Sequence, residues 1–92
     1  MREIKLAERG YTDEQGRTHR LRYCLLEETA DGGAGRHTGY GVAVLDEGGD
    51  EMRLRDLSTD QTWVRSVVER LAQGLVTPVT AGDVVEDLLS QH

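Results

Sequence analysis

Three carboxylates near the end of the chain, Asp83, Glu86 and Asp87, come closest to a chemical constellation. Asp83 and Asp87 stand four residues apart, so on a helix they share a face and could offer oxygens to a divalent cation. The same acids also fit a solvated face near a helix N-terminus, where the helix dipole favours negative charge. A cation site needs ligands from a second element, and none is evident. The solvated face is therefore the preferred reading, with Asp83, Glu86 and Asp87 as a candidate protein contact.

The nucleophilic and metal-binding side chains are sparse. Cys24, His19 and His37 could suggest a thiol with a base, or a zinc site. Zinc ligands, however, come in closely spaced pairs. His19 and Cys24 are separated by an odd number of residues and point to opposite faces of a regular strand. Packing or surface roles are expected for all three. Gly32-Gly33-Ala34-Gly35 could cradle a phosphate, but it matches neither glycine-rich nucleotide fingerprint and no helix start follows it. It reads as a flexible hairpin connection. No catalytic residue, metal ligand or cofactor is assigned, and the chain is expected not to be an enzyme.

Arginines offer the alternative. Arg20, Arg22, Arg53 and Arg55 alternate along two strand-like runs and could form a basic strip on an open sheet face, as in single-strand nucleic-acid readers. Such faces interleave aromatics with charge. This chain has no Phe, one Trp and three Tyr, and a net charge of −6. Nucleic acid is therefore disfavoured. Pairing with Glu8, Glu27, Glu51 and Asp56 is the simpler expectation. A helix-turn-helix at the end of the chain is also disfavoured: the connection 75–79 looks long and extended, and the second helix is acidic.

These residues must be held by a regular framework. Residues 2–12 alternate weakly, with Ile4 and Leu6 on one face and Lys5 and Arg9 on the other. Asp13-Glu14-Gln15-Gly16 supplies a turn. Residues 17–28 follow, with Leu21, Tyr23 and Leu25 facing one way and Arg20, Arg22, Cys24 and Leu26 the other. After the glycine-rich loop 31–37, a third strand at 38–46 sets Tyr40, Val42 and Val44 against a small face of Gly39, Gly41 and Ala43. That small face suits close approach by another backbone. A turn at 47–50 leads to a fourth strand, 51–57, with Met52 and Leu54 inward.

The period then lengthens. Ser58-Thr59-Asp60-Gln61 reads as a capping box, and Trp63, Val64, Val67, Val68, Leu71 and Ala72 fall on one helical stripe that Gly74 ends. Pro78 is expected to lie in an extended link. Thr80 and Asp83 then start a second helix with the stripe Val84, Val85, Leu88 and Leu89. The fold class that follows is α+β: a four-stranded antiparallel meander with two helices on one sheet face, ββββαα. Ninety-two residues make one domain, 1–92, with the meander at 1–57 and the helical pair at 58–92. Cys24 has no partner for a disulfide, the amino terminus shows no apolar stretch of signal-peptide length, and no run approaches the roughly 20 residues that span a bilayer. A cytoplasmic setting without membrane attachment is expected.

The order of these elements resembles a known family. The resemblance rests on Tyr40-Gly41-Val42, Ser58-Thr59-Asp60, and Val76-Thr77-Pro78-Val79-Thr80 with Asp83-Val84-Val85-Glu86-Asp87-Leu88. It is a family of small bacterial proteins, mainly Gram-positive and clostridia-like, described only as a domain of unknown function. The resemblance implies a stand-alone protein of this size and carries over no activity, cofactor or site residue.

The expected function is that of a small non-enzymatic protein acting through protein contacts. Trp63 and the two apolar stripes leave surface that a homodimer could cover.

Overall fold

The computed structural model describes residues 1–33 and 35–91. It contains β1 (Arg2–Thr12), β2 (Thr18–Gly32), β3 (Gly35–Asp46), β4 (Glu51–Ser58), α1 (Gln61–Gln73) and α2 (Pro78–Leu89). The strands form one antiparallel sheet in the order β1-β2-β3-β4, so the meander and the ββββαα class are as the alternation predicts.

Side chains alternate across a sheet, and that alternation sorts the core. Leu21, Tyr23 and Leu25 of β2 and Val42 and Val44 of β3 point to the helical side. There they meet Val64, Val67, Val68, Leu71 and Ala72 from α1 and Ala81 and Val85 from α2. Each large side chain buried in this layer contributes about 1.5–3 kcal/mol. Tyr23 is fully buried, and its hydroxyl donates to the Val76 carbonyl at 2.9 Å. Burial pushes its pKa up to about 12. The bond ties the sheet to the link between the helices. Tyr23→Phe should cost about 1–2 kcal/mol by leaving that carbonyl unpartnered, read from the urea midpoint at unchanged slope.

Two bulges depart from simple alternation. Lys5 pairs with Cys24 and Ala7 with Tyr23, so Leu6 is an extra residue and the rest of β1 is turned over. Arg9 therefore does not share a face with Lys5. It reaches the helical side, where Nη1 donates to the Ala72 carbonyl at 2.9 Å near the end of α1. On the far side, Tyr40 pairs with Ser58 and Val42 with Leu54, so residues 55–57 oppose Gly41 alone. Asp56 takes φ 54° in this bulge. Strand β4 thereby folds onto the small face of β3, the close backbone approach that Gly39 and Gly41 foreshadow.

Four local expectations change. The glycine-rich segment does join β2 to β3 as a hairpin, but the loop expected over 31–37 is shorter: β2 runs to Gly32 and β3 starts at Gly35. Asp31 pairs with Arg36 and Thr29 with Thr38, whose hydroxyls bond at 2.9 Å. Ladder pairing overrides the weak strand propensity of these residues. Ala34 lies outside the described residues.

The cap of α1 is Asp60, which accepts from the Trp63 N–H, while Ser58 accepts one turn earlier from the Asp60 N–H. At its other end Gly74 keeps an ordinary φ of −82°, and Leu75 takes the left-handed conformation, φ 53°. Val76 N–H bonds to Leu71 O and Leu75 N–H to Ala72 O, a Schellman closure. Packing of Leu75 against the core offsets a backbone cost of about 1–2 kcal/mol.

Pro78 is the first residue of α2, where its missing N–H costs nothing and its fixed φ suits a helix. The link is thus only residues 74–77, and the buried stripe of α2 is Pro78, Ala81 and Val85 with Val84 and Leu88 beside it. Leu89 turns outward, 37% exposed.

Candidate protein interaction surface

The open face of the sheet carries the four arginines together, as the alternation predicts. Three are held by carboxylates: Arg20 by Glu8 at 3.1 Å, Arg53 by Glu3 at 3.2 Å and by Glu51, and Arg55 by Glu28. Of the acids expected as partners, Glu8 and Glu51 serve. Glu27 pairs with Arg2 at 3.8 Å, and Asp56 is spent on the bulge, its carboxylate standing where a Gly39 side chain would lie. Arg22 makes no ion pair among the described residues.

These pairs do more than neutralise charge. Arg53, Ala43, Cys24 and Lys5 occupy one row across the four strands. The bond from Arg53 to Glu3 therefore spans the sheet from β4 to β1, over Ala43 and Cys24. Beneath it Cys24, Leu26, Ala43 and Leu45 form a second buried cluster, 1–5% exposed on a face that no helix covers. Long charged side chains supply the cover with their aliphatic stems. Burial pushes the Cys24 thiol above its ordinary pKa, with Glu3 adding to the effect. Arg53→Ala should remove the strap and raise the alkylation rate of Cys24 by iodoacetamide several-fold. An unchanged rate would show that the strap does not shield the thiol.

The structure separates the remaining nucleophilic candidates. His37 is exposed on the hairpin formed by β2 and β3, Cys24 lies under the open face, and His19 sits at the opposite end of β2. Strand β3, not a helix, follows the glycine segment, so no helix N-terminus faces it. Asp83, Glu86 and Asp87 are all exposed on α2. Among the described residues, no three His, Cys, Asp or Glu side chains are grouped to hold a metal ion.

The other face is built differently. α1 and α2 leave a cleft of about 190 Å³ between them, lined by Trp63, Ser66, Val67, Arg70, Leu88 and Gln91. Helical geometry places Trp63, Ser66 and Arg70 on one flank of α1, because 63, 66 and 70 follow the i, i+3, i+7 rule, and Val67 closes the floor. Ser66 Oγ donates to the Trp63 carbonyl at 2.6 Å. The cleft is smaller than the roughly 300–1,000 Å³ of small-molecule sites, and suits a side chain.

Charge differs between the two helices. α1 exposes Arg65 and Arg70 beside Glu69; α2 exposes Asp83, Glu86 and Asp87 and has no basic residue. Arg70 is the only one of these charged groups that lines the cleft. All nine ion pairs among the described residues join groups of the sheet and its turns, and none involves either helix. Of the residues expected as a protein contact, Trp63 lines the cleft and Asp83, Glu86 and Asp87 lie outside it; Ser66, Arg70 and Gln91 at the cleft were not anticipated from the sequence. The available signal was the contrast in charge between the two helical segments.

The chain belongs to the Family of unknown function (DUF6514), whose model matches residues 2–91. No curated protein and no solved structure matches it. Among the described residues no helix is long and apolar enough to cross a membrane.

Proposed function

We propose that this protein is a non-enzymatic interaction module that pairs with a second copy of itself through its helical layer. The observation that carries the reading is the unpaired, oppositely charged flanks of α1 and α2. On the sheet, Arg20, Arg53 and Arg55 are matched to acids within the chain, and Arg22 alone of the four has no ion pair among the described residues. On the helices, Arg65 and Arg70, with Glu69 between them, and Asp83, Glu86 and Asp87 are all exposed and make no ion pair among the described residues. A two-fold axis between copies sets α1 of one against α2 of the other, because an isologous interface makes every contact twice. The arginines of each copy then face the acids of the other.

Apolar groups lie within the same layer. Val79 is 79% exposed, Leu89 turns outward, and Trp63 is half-buried at the cleft. An aromatic anchor beside an arginine is the usual composition of an interface centre. The compensated arginines of the open face favour a protein partner over nucleic acid, since phosphate binding draws on uncompensated charge. A cytoplasmic setting fits the free, buried Cys24.

Sedimentation equilibrium tests the reading. A dimer is expected at low salt, weakening as sodium chloride rises from 50 to 500 mM, because exposed charges are screened over a Debye length that shortens from about 14 Å to 4 Å in that range. A monomer at every concentration and salt would contradict it.

A further inference from the structure

The geometry points to a pH-sensitive clamp at one end of the sheet, in which the His19 ring, wedged between Asp13 and Asp46, fastens the β1–β2 turn to the β3–β4 turn while it carries a second proton. His19 Nε2 lies 2.7 Å from Asp13 Oδ2 and Nδ1 lies 3.3 Å from Asp46 Oδ2. Tyr11 of β1 stacks on the ring, centroids 4.7 Å apart at 12°. The ring is held in plane with an acid at each nitrogen.

The chemistry of imidazole makes this arrangement depend on protonation. Neutral imidazole has one N–H and can donate to one carboxylate only; its other nitrogen then turns a lone pair toward the second acid. Imidazolium donates from both nitrogens. Both acids are themselves fixed by the turns they sit in. Asp13 accepts from the N–H groups of Gln15 and Arg17 at 2.9 Å, and Asp46 accepts from the Gly48 N–H at 2.9 Å. The clamp therefore joins two preformed turns.

The charges acting on the ring are Asp13 and Asp46, and the stacked Tyr11 feels the negative charges of Asp46, Asp13 and, from the β3–β4 turn, Asp50. The hydrogen bond with Asp13 is the largest cause raising the His19 pKa above its ordinary 6.5, against desolvation, which lowers it. The same bond, with the Arg17 N–H next, lowers Asp13 below 3.8. For the raised histidine, the stabilisation is complete below pH 6.5 and is lost as pH climbs through the higher folded value. For the lowered aspartate, it is present above 3.8 and is lost as pH falls through the lower folded value. The clamp is closed between about pH 4 and 6.5 and opens on the alkaline side.

An NMR titration of the full chain from pH 5 to 9 tests this, with hydrogen-exchange protection followed in residues 13–18 and 46–50. His19 is expected to titrate above 6.5, and protection in both turns to fall together through the same midpoint. Asp46→Asn should lower that midpoint while the fold persists. His19→Gln should remove the alkaline loss of protection. A His19 midpoint at or below 6.5 in the native protein, or an unchanged alkaline loss in His19→Gln, would overturn the proposal.

Discussion

Gly41→Ala is expected to destabilise the protein by at least about 3 kcal/mol, in the upper range for single substitutions. Gly41 stands alone opposite residues 55–57, and the Asp56 bulge lays β4 directly over it. A Cβ there overlaps the Leu54 carbonyl oxygen and lies 3.0 Å from the Arg55 Cα. Both atoms belong to backbone, so no side-chain rotation relieves the overlap. The strand must move out, uncoupling Leu54 from Val42 and Met52 from Val44 in the ladder. A chain of 92 residues has a total stability near the low end of about 5–15 kcal/mol, so most of its margin goes with one methyl group. Gly10→Ala is the control: its Cβ would meet the His19 carbonyl at an ordinary 3.6 Å, and the change should stay within about 0.5 kcal/mol. Urea unfolding followed by circular dichroism separates the two.

That contrast shows what was legible in the sequence. Alternation of apolar and polar residues placed the meander, its inner face and the small face of β3, because strand period and burial are coupled residue by residue. The bulges were not legible. Nothing in Lys5-Leu6-Ala7 or Arg55-Asp56-Leu57 announces an extra residue; the signal lies in how two strands fit, and one-dimensional pattern cannot carry it. The misplaced helix ends have a similar cause. Ser58 and Asp60 both suit a cap, Pro78 suits either a link or a first turn, and Gly74 suits a left-handed position that Leu75 takes. Tertiary contact chose among options that are locally close in energy.

The candidate surface was half legible for the same reason. Asp83, Glu86 and Asp87 read as an exposed acidic face without any structure. Their counterparts on α1 did not, because only the packing of the helices on the sheet shows that Arg65 and Arg70 share the same outer layer. The arginines that looked most available, at 20, 53 and 55, are those the fold has already paired.

The second large effect follows from that layer. Reversing Arg65 and Arg70 to glutamate makes both helices acidic. Self-association should weaken roughly 100-fold, about 2.8 kcal/mol, through repulsion between like faces. Reversing Asp83, Glu86 and Asp87 to lysine makes both faces basic and should have the same effect. All five side chains are exposed, so neither variant should disturb the core.

Mixing the two variants in equal amounts and measuring mass by sedimentation equilibrium at low salt tests the central claim most directly. A pairing of α1 on α2 predicts that each variant alone is monomeric and that the mixture forms a heterodimer about as tight as the wild-type homodimer. Dimers of either variant alone at wild-type strength, or a mixture that stays monomeric while the wild type pairs, would contradict it.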